Sequence, residues 1–203
     1  GRNMSVLFCN NNSMSAITST PSGIGGGSMA LISTQTASSS STISFASNID
    51  STYKEYIIKY IGVHPATDGA NFQVNFRDGS TAYDATKTTT VFLASNAEDE
   101  SHAELAYKAS NDLAQSTDFQ NLAESAGADN DQCVSGELHL FNPSSTTFVK
   151  TFMSQTQNAD SGNNTLSFFV SGYCNTTTAI DGVQFKFSSG NIDSGTFKLY
   201  GVS

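Results

Sequence analysis

The chain has 203 residues, a formal net charge of −9 and only nine scattered Lys and Arg residues. That balance excludes electrostatic capture of nucleic acid or of an anionic membrane surface. Charged residues make up only 13%, and fourteen Phe and seven Tyr carry too much aromatic area for a disordered chain.

Three cysteines, Cys9, Cys133 and Cys174, with no CxxC pair, specify neither a disulfide framework nor a zinc site. Cys133 and Cys174 fall in predicted strands and read as small buried hydrophobes. No apolar run approaches the roughly 20 residues of a membrane helix. The start lacks a basic region followed by a long apolar stretch, so no secretory leader is expected.

Residues 1–28 form an arm. Met4-Ser5-Val6-Leu7-Phe8-Cys9 is a short apolar run, and Pro21 through Gly27 is glycine-rich and reads as a flexible linker. A short apolar segment on a tether cannot bury itself alone. Arg2, Val6, Leu7 and Phe8 are therefore the candidate partner-anchoring residues.

The compact domain spans 29–203. Met29–Thr36 predicts a first strand, and the serines 38–41 a turn. Thr42–Ala46 places Ile43 and Phe45 on one face, and Asn48-Ile49-Asp50-Ser51 has the chemistry of an Asx turn. Tyr53–Val63 is the longest predicted strand. Tyr56, Ile58 and Tyr60 share one face, and Ile57, Ile61 and Val63 share the other with Lys59. Apolar residues on both faces imply a central strand whose second face is covered by a subunit or a loop. His64-Pro65 ends it. Phe72, Val74 and Phe76 alternate next, Asp78-Gly79 predicts a hairpin-type turn, and the threonine-rich Thr88–Leu93 another strand.

Asn96–Gln132 breaks the rhythm and predicts a long insertion. It is acidic at both ends, and one or two helical turns are expected in its middle, weakly anchored by Leu105, Tyr107, Leu113 and Leu122. Such an insertion is where contacts concentrate, so Glu98, Asp99, His102, Tyr107 and Phe119 are the candidate receptor- or partner-binding residues.

From Cys133 the strands resume. Val134, Gly136, Leu138 and Leu140 share a face, and Asn142–Ser145 turns. Phe148, Lys150 and Phe152 alternate with Val149 and Met153, Asn158–Asn164 is a polar loop, and Leu166, Phe168 and Val170 face inward. Val183, Phe185 and Phe187, a turn over Ser188–Asn191, then Phe197 and Leu199 predict a final hairpin. Asn48-Ile49-Asp50-Ser51 is echoed by Asn191-Ile192-Asp193-Ser194, two similar turns before two strong strands. Period-two strands separated by Gly, Asn and Ser turns predict an all-β fold: an antiparallel, jelly-roll-like β-sandwich with an extended N-terminal arm.

No stretch announces a reaction. Glu98, Asp99, Glu100 and Glu104 could pose as the carboxyl pair of a glycoside hydrolase, but a solvated acidic loop explains them better. Asp129-Asn130-Asp131 lacks the other positions of a calcium loop. His64, His102 and His139 lie far apart, with His139 expected on an outward face, and no G-x-S-x-G elbow occurs. Cys133 and His139, six residues apart on one strand, do not make a thiol–imidazole pair. Gly23–Gly27 lacks the Gly-Lys-Ser/Thr end of a phosphate loop. No catalytic residue, metal site or cofactor is assigned.

Several segments carry a family resemblance: Leu31–Ser40, Tyr53-Lys54-Glu55-Tyr56, His64-Pro65-Ala66-Thr67-Asp68-Gly69, Ser135–Lys150, and the stretch from Thr176 through Ser188-Ser189-Gly190-Asn191 to Tyr200-Gly201. In this order they resemble structural proteins of tailed bacteriophages, in particular tail-fibre and virion-surface modules of aquatic phages. The resemblance spans nearly all of 29–203. It implies a β-sandwich particle component without catalysis, assembled in the host cytoplasm and resident in the virion, with no defined site motif to carry over. Its expected partners are other virion proteins of capsid or tail, further copies in a homotrimer, and a host-surface glycan or protein. A tail-fibre or adhesin-type module for host attachment is the first expectation. The short arm raises a capsid decoration protein as the alternative, and a glycan depolymerase stands third.

Overall fold

Burial alternates residue by residue along most of the chain. In Lys150–Ala159, for example, Lys150, Phe152, Ser154, Thr156 and Asn158 are buried while Thr151, Met153, Gln155 and Gln157 are exposed. A period of two gives each strand one inward and one outward face. The computed structural model describes residues 29–203. The arm, with Arg2, Val6, Leu7, Phe8 and the glycine-rich linker, lies outside the described residues.

The described residues form twelve strands: β1 (Met29–Ser40), β2 (Ile43–Phe45), β3 (Glu55–Pro65), β4 (Ala70–Arg77), β5 (Lys87–Ala97), β6 (Ala103–Tyr107), β7 (Gln120–Ala126), β8 (Val134–Phe141), β9 (Lys150–Ala159), β10 (Asn164–Cys174), β11 (Gly182–Phe187) and β12 (Ile192–Val202). They form an eight-stranded sheet in the order β1-β12-β3-β8-β9-β10-β5-β6 and a four-stranded sheet in the order β2-β11-β4-β7. Every strand pair is antiparallel. The described chain is thus all-β, with two antiparallel sheets packed as a sandwich.

Aromatic side chains join the sheets. Tyr60 and Phe197 of the large sheet meet Phe72 and Phe185 of the small one, with ring centroids 5.1 Å apart for Tyr60–Phe72 and 5.4 Å for Phe185–Phe197. All four rings are fully buried. Farther along, Phe76 packs on Phe152 at 4.7 Å.

The small sheet ends at β7, so the inner faces of β10 and β5 need another cover. The connection 108–119 supplies it: Thr89 N–H donates to the Leu113 carbonyl (2.9 Å), Val91 N–H to the Asp112 carboxylate (2.9 Å) and the Thr89 hydroxyl to the Gln120 side chain (2.6 Å). Polar groups accumulate here. Lys87, Lys150, Ser154, Thr156, Asn158 and Gln120 are all buried, and the two ammonium groups are held by carbonyls, Lys87 by Asp118 (2.6 Å) and Lys150 by Thr176 (3.0 Å).

Five expectations change. Asn96–Gln132 is no helical insertion: it holds β6, one short 3₁₀ turn at Ala109–Asn111, and β7. Gln120-Asn-Leu-Ala-Glu-Ser-Ala lacks β-branched residues, yet pairing with β4 and burial of Leu122 and Ala123 make it a strand; tertiary context overrides propensity. Gly182–Tyr200 is no hairpin, because β11 and β12 sit in different sheets and the turn between them is a corner. Likewise Asp78-Gly79 begins a crossing from β4 to β5 in the other sheet, although Gly79 does adopt φ +85. Cys133 is exposed and precedes β8, whereas Cys174 is buried as expected, and both are free thiols. Within β3, Val63 faces inward: the register against β8 shifts between Tyr60 and Val63, at Gly62 with φ +56. The echoed segments both lie where the chain passes from the small sheet to the large one, Asn48–Ser51 between β2 and β3 and Asn191–Ser194 at the start of β12, and Ile49 and Ile192 are both buried.

Candidate functional site

The small sheet and the connection 108–119 cover one face of the large sheet, and nothing among the described residues covers the other. Cross-strand register places two rows of side chains across that outer face. One runs Lys198, Lys59, Glu137, Gln155, Phe169, Phe92, Tyr107. The next runs Leu31, Tyr200, Ile57, His139, Met153, Ser171, Thr90.

Charge divides this face. Over β3 and β8 lies an ionic chain: Glu55 meets His139 Nδ1 at 2.7 Å, His139 Nε2 meets Glu137 at 3.2 Å, and Lys59 Nζ reaches Glu137 at 3.2 Å. Partial burial pushes the Glu137 carboxyl up, but hydrogen bonds from His139 and Lys59 outweigh it and hold the group below its ordinary value. Over β9, β10 and β5 every outward side chain is uncharged; the charged residues of these strands, Lys87 and Lys150, face inward. Here Phe92 and Phe169 stack at 4.8 Å with rings 8° from parallel, and Phe92 and Met153 are 45% and 51% exposed.

Where the two zones meet lies a hollow of about 300 Å³, lined by the apolar Phe92, Phe169 and Met153 interleaved with Glu137, His139, Gln155 and Ser171. A second hollow of about 310 Å³ shares Glu137 and Gln155 with it. A third, of about 500 Å³, shares Met153 and Ser171 and continues past Thr90 to Phe141 and Tyr173. Together they make a trough across the strands. Its chemistry is apolar rings beside amide, hydroxyl and carboxylate groups, which suits an extended ligand carrying both C–H faces and hydroxyls.

The five residues predicted from the acidic segment are not brought together. Glu98 and Asp99 are at the exposed β5–β6 turn, where Glu98 and Glu100 line a shallow hollow with Asn164 and Thr165. Asp99 accepts the Ser101 side chain and N–H, which hold its carboxyl below the usual range, the opposite of what a general acid needs. His102 is half exposed beside Glu104 at 3.5 Å. Tyr107 stands on the outer face at the end of the Phe169–Phe92 row, its hydroxyl donating to Asp112. Phe119 is elsewhere, with the Lys186 ammonium of β11 4.4 Å above its ring.

The residues that line the trough were missed, although their signal is in the sequence. Phe92, Met153 and Phe169 are large apolar residues in the outward parity of strands whose inward parity is already apolar. His139 is outward, as expected. Among the described residues no three His, Cys, Asp or Glu side chains converge as metal ligands, and no helix is long and apolar enough to cross a membrane. No protein-family model matches the chain, and no curated protein matches it.

Proposed function

We propose that the sandwich is a jelly roll enlarged by two inserted hairpins, and that the chain is a non-enzymatic structural protein of a tailed-phage virion, displayed as a tail-fibre or adhesin-type module for host attachment. The strand order carries the reading. With β5–β6 and β9–β10 set aside, the remaining strands make two four-stranded sheets, β1-β12-β3-β8 and β2-β11-β4-β7. First pairs with last, second with second-last, and β4 with β7 across the middle, as a long hairpin rolled on itself requires. Jelly rolls of this kind recur in viral coat and lectin-type domains. Fold alone does not assign function, so the virion setting rests on the resemblance of Leu31–Ser40, Ser135–Lys150 and Thr176–Gly201 to tailed-phage surface proteins.

The inserted hairpins supply the attachment surface. They extend the large sheet by β9, β10, β5 and β6 and so create the uncharged zone with the Phe92–Phe169 pair. A neutral glycan suits that zone: ring faces take up C–H surface, and Gln155, Ser171 and Thr90 offer hydrogen bonds to hydroxyls.

Two measurements test this. Quantitative mass spectrometry and imaging of particles should place a few dozen copies or fewer at the tail; hundreds on the capsid would favour decoration, and absence from particles would remove the reading. Purified chain should bind host-surface glycan and block phage adsorption, and Phe169→Ala should weaken binding about tenfold, or roughly 1.4 kcal/mol, with the fold intact. Binding unchanged in Phe169→Ala would move the attachment site off this face.

A further inference from the structure

Each sheet has two edges, and an open edge invites pairing with any extended chain unless it is short, charged, bulged or covered. Three of the four edges here are protected. β2 is three residues long. β6 has five residues, carries Glu104 and follows the acidic turn Glu98-Asp99-Glu100. β7 has two register shifts against β4, a positive φ at Ser125, an ion pair from Glu124 to Lys108 (3.5 Å) and a hydrogen bond from the Asn158 side chain to its Glu124 carbonyl (3.1 Å).

β1 is different. It is twelve residues long, contains no Asp, Glu, Lys, Arg or Pro, and between Met29 and Ser38 carries a single irregularity, at Ile32; a positive φ at Ser39 falls only at its far end. Among the described residues it is engaged from outside the ladder by the Gln35 side chain, which turns inward to the Ser44 carbonyl, and at its far end by Asn191 to the Ser39 carbonyl. Leu31 is 56% exposed.

We infer that the free edge of β1 pairs with β1 of a second copy of this chain, antiparallel about a two-fold axis, joining two eight-stranded sheets into one. Charge selects this partner. Two chains of −9 repel wherever carboxylates meet, but β1 against β1 opposes no charges. The side-chain faces also match. Register with β12 and β3 puts Met29, Leu31, Thr34 and Thr36 on the outer face. A two-fold between Ile32 and Ser33 sets Met29 opposite Thr36 and Leu31 opposite Thr34, apolar chains against threonine methyls on the same face, with Ala30 opposite Gln35 on the other. The geometry is isologous and closes at two copies, where the expectation from sequence was three. The inference is independent of what the trough binds.

Sedimentation of the full chain across micromolar concentrations tests it. The wild type should be a dimer, and Leu31→Lys and Thr36→Lys, both at exposed positions, should each weaken the dimer about tenfold or more with unchanged circular dichroism. Leu105→Lys, on the opposite edge, should leave the dimer as it is. A full chain that stays monomeric, as it would if its own residues 1–28 occupied the edge, overturns the inference. So does a trimer, a dimer indifferent to both β1 substitutions, or one broken by Leu105→Lys instead.

Discussion

At the residue scale the most informative group is Lys87. In cross-strand register it shares an inward row with Cys174 and Lys150. Burial pulls the Lys87 amine down to about 8 from an ordinary 10.5, pushes the Cys174 thiol up to about 12 from 9.0, and pushes the Tyr60 phenol, whose hydroxyl meets Ser154 and Thr156, up to about 12 from 10.0. Each shift has a sign in stability. Between pH 8 and 10.5 the unfolded chain binds a proton at Lys87 that the folded chain has released, so stability rises with pH. Above pH 9 the unfolded thiol loses a proton that folded Cys174 keeps, and above pH 10 Tyr60 does the same, so stability falls. Thermal unfolding followed against pH should therefore show midpoints rising through pH 8 to a maximum near pH 9 and declining beyond about pH 10. Lys87→Met should flatten the rise, leaving only the part due to Lys150, whose amine burial also lowers, and should leave the decline. The same rise in Lys87→Met would mean that another group drives it.

At the element scale, cross-strand contacts decide which small residues are needed. Gly136 of β8 lies directly opposite Tyr60 of β3, and a Cβ there would meet the Gln155 carbonyl oxygen at 2.3 Å and the Tyr60 ring at 2.8 Å. The ring occupies the space a side chain would take, and the opposing backbone cannot yield. Gly136→Ala should destabilise by about 2 kcal/mol or more, in the range of overpacked cores, measured by denaturant unfolding; a shift under about 0.5 kcal/mol would show that the sheet gives way easily. Most strands were legible because alternation is a local signal: Phe72, Val74 and Phe76, or Leu166, Phe168 and Val170, show their inward face unaided. What remained hidden was non-local. Nothing in Ser188–Asn191 distinguishes a hairpin turn from a corner between sheets, since the choice depends on β3 being available to β12. Strand β7 owes its state to β4. The trough needs β5, β8, β9 and β10 side by side, which are brought together from 87–97 and 134–174, so its Phe92–Phe169 pair could be suspected from parity but not located.

At the scale of the whole molecule, the two halves of the large sheet rest on unlike interiors. Under β12, β3 and β8 the core is aromatic, and every ring of the Tyr60, Phe72, Phe185 and Phe197 cluster is fully buried. Toward β5 the interior holds two lysines, and Asn111 Nδ2 and Asn158 Oδ1 find no protein partner; at the limit, β6 buries none of its five residues. Local opening follows the local density of apolar contact. Amide hydrogen exchange should therefore be slowest in β3, β12, β4 and β11 and accelerate outward from β10 through β5 to β6. Phe72→Ala, which removes a fully buried ring at about 3–5 kcal/mol, should lower protection throughout. The opposite edge gives the contrasting reading. As an unpaired edge, β1 would exchange its outward-facing amides about as fast as β6 at any protein concentration. As a dimer interface, those amides gain protection as concentration rises while β6 stays fast, and Leu31→Lys removes the gain. Equal, concentration-independent exchange at both edges would leave the eight-stranded sheet with two open ends.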